Sequence, residues 1–193
     1  MAFAHDSGFL KADFVMSTIL AILGFFIFGT MSSNAYLPFG DRELCLLLAN
    51  PRTYSFHNSA CTFTITIGFL IAAGGIALFA MDFVTWKRSE RFKGKRASVA
   101  ALLIAPTLCF FSFATAIVIG TGVKAFCNNY EVAPGIVDYE RCKTQTAGLS
   151  GIQAGVGAST VAGFLFAFYG YSEYIQYRKR HINGDKVLFY TYY

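Results

Sequence analysis

Four long stretches of the chain contain no charged residue and are mostly apolar. They run from Phe14 to Met31, from Thr62 to Met81, from Ala97 to Gly122 and from Gly148 to Ser172. At 1.5 Å per residue, a helix of about 18 to 26 residues can cross a hydrocarbon layer roughly 30 Å thick. The pattern therefore predicts four transmembrane helices.

We expect these spans to form one all-α membrane domain over residues 1–193, a left-handed four-helix transmembrane bundle. The predicted spans cover about 14–31, 62–84, 97–122 and 148–172, with outer loops at 32–61 and 123–147, a cytoplasmic loop at 85–96 and a cytoplasmic tail at 173–193. The apolar core of the first span exceeds the roughly 7 to 15 residues of a signal peptide, so we interpret it as a retained span.

The basic residues orient the predicted spans. Eleven of the sixteen Lys and Arg residues lie on the side that holds both termini and the connection between spans two and three. By the positive-inside rule, both termini are then cytoplasmic. The connection is too short for a nucleic-acid surface of usual size, so no nucleic-acid partner is expected. Its basic residues are expected to contact anionic lipid headgroups: Lys87, Arg88, Arg91, Lys93, Lys95 and Arg96.

Four of the five cysteines fall in the predicted outer loops, two in each. The simplest of their three possible pairings joins Cys45 to Cys61 and Cys127 to Cys142, in an oxidising compartment. Both short outer loops would then be disulfide-stapled, although pairing between the loops remains an alternative. Cys109 lies inside span three and is expected to pack as a small apolar residue.

Span four is rich in small residues. Gly151, Gly155, Ser159 and Gly163 recur every four residues, and Gly148 precedes them by three. Helices in a bilayer associate by close packing, which small side chains permit, so this row predicts a helix-packing face. Packing within the bundle is the favoured interpretation, and a dimerisation or partner face is the alternative. Span two carries a similar patch at Gly68, Ala72, Gly74 and Gly75.

Three acidic residues lie near the predicted cytoplasmic ends of spans. We interpret Asp13, Asp82 and Glu173 as boundary groups, with Asp82 close enough in sequence to pair with Lys87 or its basic neighbour. The aromatic residues that crowd the end of span four, Tyr169 among them, are expected to be interfacial anchors.

The chain carries no recognisable catalytic motif. His5, His57 and His181 have no metal-ligand spacing, and no nucleophile or phosphate-binding motif accompanies them. Carriers and pumps usually keep charged side chains at mid-membrane, and the predicted spans have none there. We therefore expect neither an enzyme nor a pore, with no metal and no cofactor. A bound lipid or cholesterol is the alternative left open.

Four short strings carry a family resemblance. They are FGTMSSNAY at 28–36, CLLLANP at 45–51, LFAMD at 78–82 and INGDKVLF at 182–189. With the four spans and the first-loop cysteine pair, they resemble MARVEL-domain proteins of the synaptogyrin and synaptophysin branch over about residues 14–189. The pair Cys127 and Cys142 is more similar to synaptophysins, whereas the long tyrosine-rich tail of synaptogyrins has no counterpart here.

The resemblance implies a non-enzymatic tetraspan protein of synaptic or other secretory vesicles or of the plasma membrane. Such a protein organises or traffics membrane through contacts with lipids and with other integral membrane proteins, including copies of itself. The alternative is an auxiliary subunit of a larger channel, receptor or proton-pump complex, of a claudin-like or orphan four-pass class. Claudins come second because the sole tryptophan, Trp86, lies on the wrong side for their motif.

Overall fold

Four long helices and two short β-ribbons make up the structure. The computed structural model describes residues 7–39, 42–45, 47, 58–87, 95–128, 131–133, 136–137 and 149–179. The helices are α1 Ser7–Asn34, α2 Asn58–Lys87, α3 Lys95–Asn128 and α4 Leu149–Tyr177. One ribbon pairs β1 Tyr36–Phe39 with β2 Arg42–Cys45, and the other pairs β3 Glu131–Ala133 with β4 Ile136–Val137, both antiparallel.

All four helices are long and apolar enough to cross a membrane. Each overlaps one predicted span and continues past it by a few residues at most of its ends. The helices continue because their backbone hydrogen bonding needs no apolar side chain once the helix has formed. The 30 residues of α2 extend about 45 Å, which exceeds a hydrocarbon thickness of roughly 30 Å.

The helices form a ring of antiparallel neighbours. The most extensive contacts join α1 to α2 and α3 to α4, and smaller ones join α1 to α4 and α2 to α3. The pairs with the most extensive contacts are consecutive in the chain. The all-helical, four-helix part of the prediction is therefore confirmed, whereas the left-handed twist stays a prediction.

The backbones of α1 and α2 touch. A Cβ added to Gly24 would lie 2.5 Å from the Cα of Ala72, and one added to Gly75 would lie 2.5 Å from the backbone nitrogen of Ala21. Gly68 lies similarly close to the α1 backbone. No side chain larger than hydrogen fits these positions without moving a helix, which makes this the tightest helix pair described.

The interior between the helices is filled by apolar side chains along most of its length. The largest fully buried ones include Leu20, Ile27, Ile71, Leu78, Ile119, Ile152 and Phe166. At one end, where α1 begins and α2 and α4 end, polar side chains replace them.

Candidate functional site

Six polar side chains meet inside this end of the bundle. This polar cluster consists of Asp13 and Ser17 of α1, Asp82 of α2, and Tyr169, Glu173 and Gln176 of α4. Gln176 is partly buried, and the other five have no exposed surface. Each lies within about three helical turns of a helix end, so the cluster lies near the edge of the hydrocarbon layer that a bilayer would provide.

Asp82 is the acceptor that joins three helices. Its Oδ2 accepts a hydrogen bond from the Ser17 hydroxyl at 3.1 Å. The Tyr169 hydroxyl lies 3.2 Å from each carboxylate oxygen and donates to them. A buried carboxylate without such donors would be strongly destabilising, so these hydroxyls allow Asp82 to lie inside the bundle.

A second set of contacts ties α1 to α4. Gln176 donates through Nε2 to Asp13 Oδ2 at 2.7 Å and to the Ser172 hydroxyl at 3.2 Å. The two sets of contacts lie at the same end of the bundle, and together they link α1, α2 and α4.

The acidic residues lie near helix ends as expected, but their surroundings differ from the expectation. Asp82 accepts its hydrogen bonds from Ser17 and Tyr169, whereas the Lys87 side chain is exposed. The prediction that Tyr169 is an interfacial anchor is wrong, because the side chain is fully buried. The signal was helical spacing: Tyr169 and Glu173 lie fourteen residues, about four helical turns, after Gly155 and Ser159, which are buried on the same face of α4.

The cluster is a set of structural hydrogen bonds and not a metal site. In the part of the chain that the structure describes, no group of three His, Cys, Asp or Glu side chains could hold a metal ion. The three histidines of the chain, His5, His57 and His181, lie outside the described residues. The described geometry holds three helices together through one shared carboxylate, that of Asp82.

The predicted glycine face of α4 contacts other helices of the same chain. A Cβ added to Gly151 would lie 2.9 Å from the Asn34 side chain of α1, and one added to Gly163 would lie 2.9 Å from the Phe113 ring of α3. At Gly155 the nearest atom would be a methionine sulfur of α1 at 3.5 Å. These glycines meet side chains, whereas those of α1 and α2 meet backbone.

The remaining small residues of α4 point in different directions. Ser159 is buried between the helices. Gly148 lies outside the described residues. Gly157 faces outward, and a Cβ added there would meet nothing within 4 Å. Gln153 is exposed near the beginning of α4.

Cys45 and Cys61 lie at disulfide-bonding distance, with Cα atoms 5.9 Å apart, as the loop positions predicted. Both are buried. Cys127 is buried near the end of α3, and its predicted partner Cys142 lies outside the described residues. Cys109 is a free cysteine that is only partly buried.

Three of the basic residues predicted to contact lipid headgroups lie at the same end as the polar cluster. Lys87 ends α2, Lys95 begins α3, and the Lys87 and Arg96 side chains are exposed. Three others lie outside the described residues: Arg88, Arg91 and Lys93.

Large apolar side chains cover the outward faces of all four helices. Those at least 40% exposed include Ile22 and Phe25 of α1, Phe69 and Ile76 of α2, Leu103, Phe110 and Ile117 of α3, and Phe164 and Phe168 of α4. Monomeric soluble proteins rarely expose contiguous apolar surface on this scale. Apolar groups therefore face outward and the carboxylates of the polar cluster face inward.

An apolar groove lies between α3 and α4 on this outer surface. Its volume is about 510 Å³, and it is lined by Leu102, Pro106 and Phe113 of α3 and by Ala167 and Tyr171 of α4, among others. Ala167 and Gly170 leave room for the groove because they have small side chains or none.

Comparison with models of protein families, with curated proteins and with solved structures gave no match.

Proposed function

We propose that this protein is a multi-pass integral membrane protein that organises or traffics membrane through helix and lipid contacts and performs no catalysis. One observation carries the proposal: large apolar side chains face outward on all four helices, while the buried carboxylates of Asp13 and Asp82 accept hydrogen bonds from amide and hydroxyl donors inside. A bilayer favours this arrangement, because lipid solvates apolar side chains and leaves polar ones to be satisfied internally.

The MARVEL-like strings favour secretory vesicles or the plasma membrane as its location, with both termini cytoplasmic. Homo-oligomers, bound lipid and cholesterol-rich bilayer are part of the same proposal. The basic end of the bundle supports the orientation, since Lys87 and Arg96 are exposed at the end where α2 stops and α3 begins.

The direct test is fractionation of cells that express the tagged chain at native level. The protein should resist alkaline extraction and sediment with one class of membrane, and its deletion should change the number or cargo of those vesicles. Release by alkaline extraction would exclude membrane insertion. Membrane retention without any change in vesicle number, cargo or membrane apposition would exclude the organising function.

The second candidate function is an auxiliary subunit of a larger membrane complex. The open surface at Gly157 favours it, because a foreign helix could approach the α4 backbone closely there. Gly157→Leu should then lower the recovery of the partner after purification in mild detergent. Gly29→Leu is the matched control, because a Cβ at Gly29 also meets nothing within 4 Å. A chain that purifies without stoichiometric partners would exclude this function.

A further inference from the structure

The groove between α3 and α4 extends over one half of the bundle. On α3 it runs from Leu102 to Phe113, which is eleven residues or about 16 Å along the axis. Phe113 lies near the middle of the helix, where its ring meets Phe164 edge-on with centroids 5.3 Å apart. One leaflet of a bilayer is about 15 Å thick, so the groove has the length of a single acyl chain.

On both α3 and α4, the row of residues that lines the groove continues along the helix to a basic residue. On α3, Lys95 precedes Leu102 by seven residues, which is two turns earlier in the same row. On α4, Arg178 follows Tyr171 by seven residues, and the helical turns continue through it. A cationic residue therefore lies on each side about 10 Å beyond the same end of the groove.

The geometry points to a binding site for an anionic phospholipid, with one acyl chain in the α3–α4 groove and the phosphate-bearing headgroup at the end of the groove where α3 begins at Lys95 and the exposed Arg178 follows α4. The apolar lining matches an acyl chain, and the two cations match a negative headgroup. The cations lie at the predicted cytoplasmic end, and the cytoplasmic leaflet is the one enriched in anionic lipids. The inference rests on the proposed membrane insertion and goes beyond it by naming the lipid class and its place.

Small side chains keep the groove open. A Cβ added to Gly170 would lie 3.4 Å from the Ala105 Cβ, so the two helices approach closely behind the groove. Ala167 lines the groove and is exposed. A large side chain at position 167 should therefore fill the groove without disturbing the buried packing.

The test uses photoactivatable phospholipids in phosphatidylcholine nanodiscs that contain the full chain. One probe is a phosphatidylserine and the other a phosphatidylcholine, each with a diazirine on the acyl chain. Crosslinks are mapped by mass spectrometry. We expect the phosphatidylserine probe to label the segment from Leu102 to Phe113 about tenfold more than the phosphatidylcholine probe, as two surface cations would produce.

Two variants separate the acyl contact from the charge contact. Ala167→Trp should abolish labelling of the groove by both probes. The control Ala73→Trp, at an exposed position of α2, should leave it unchanged. Lys95→Gln with Arg178→Gln should reduce phosphatidylserine labelling to the phosphatidylcholine level. The control removes an exposed cation of α1 at the same end, Lys11→Gln, and should retain the preference.

Equal labelling by the two probes, or unchanged labelling in Ala167→Trp, would overturn the lipid site. Preferential labelling of the groove by a photoactivatable sterol would overturn it as well and assign the groove to cholesterol. Acyl-chain labelling elsewhere on the outer faces of the helices would show that membrane insertion stands even if the lipid site fails. Failure of every acyl probe to label any helix would contradict insertion itself.

Discussion

The Tyr169 hydroxyl of α4 lies 3.2 Å from both carboxylate oxygens of Asp82 on α2, with no exposed surface on either residue. These two helices are not among the extensively packed pairs of the ring. The contact therefore crosses the interior of the bundle and, with Ser17, ties three helices at one end.

Removing the hydroxyl should weaken the bundle. Tyr169→Phe keeps the ring packing and deletes the two contacts to Asp82, so we expect a loss of about 1 kcal/mol in the free energy of unfolding. Thermal unfolding in mild detergent measures it. Tyr171→Phe is the control, because Tyr171 is 66% exposed on the same helix. Equal stability of Tyr169→Phe and the unaltered chain would contradict a stabilising role for the cluster.

Asp82 should tolerate the loss of its charge but not the loss of its hydrogen-bond acceptor. Asp82→Asn keeps an oxygen that can accept from Tyr169, whereas Asp82→Leu leaves the Tyr169 and Ser17 hydroxyls without their acceptor. We expect the leucine variant to lose at least about 2 kcal/mol more than the asparagine variant. A leucine variant as stable as the asparagine variant would mean that the carboxylate is not needed as an acceptor.

The α1–α2 contact should be intolerant of a single methyl group. Gly24→Ala places a Cβ against the Ala72 backbone and should destabilise the chain by about 1 to 3 kcal/mol, because the helices must separate. Gly29→Ala is its control on the same helix, where a Cβ has open space and higher helix propensity applies. Thermal unfolding of both variants under identical conditions checks this. The packing described would be incorrect if the two substitutions had equal effects.

The contribution of the Cys45–Cys61 disulfide to stability can be tested independently of helix packing. Cys45 and Cys61 are separated by 16 residues, and replacing both by Ser should cost about 3 kcal/mol in the loop-entropy description. Cys109→Ser should have a much smaller effect, because that cysteine is free and partly exposed. Mass analysis after alkylation with and without reductant checks the pairing. A thiol at Cys45 that reacts before reduction would rule it out.

The number and approximate position of the helices could be predicted because an uncharged apolar run of this length is typical of a membrane-spanning helix. Each helix nevertheless extends further than its apolar run, since polar residues continue a helix readily at its ends. The β-ribbons were not predicted. One signal was the two-residue connection Gly40-Asp41, a pair typical of hairpin turns, and the other was Pro134-Gly135, a pair that marks turns in general.

The polar cluster could be predicted only in part. Asp13, Asp82 and Glu173 could be placed near helix ends, but one sequence does not show which side of a helix end faces its neighbours. Gly24 was missed for a similar reason: the other glycine of its span, Gly29, lies five residues away on a different face, and the importance of Gly24 comes from Ala72 on another helix. Such contacts depend on tertiary register, which helix periodicity does not determine.

The most direct test of the central claim, that the chain crosses a bilayer four times with both ends on one side, is labelling of single introduced cysteines in sealed vesicles of known sidedness. The variants are Lys87→Cys, Lys124→Cys and Arg178→Cys, all at exposed positions, in a Cys109→Ser background. An impermeant maleimide should reach Lys124→Cys from the outer side only, and Lys87→Cys and Arg178→Cys from the cytoplasmic side only. Labelling of Lys87→Cys and Arg178→Cys from opposite sides, or of Lys87→Cys and Lys124→Cys from the same side, would contradict the four-span arrangement.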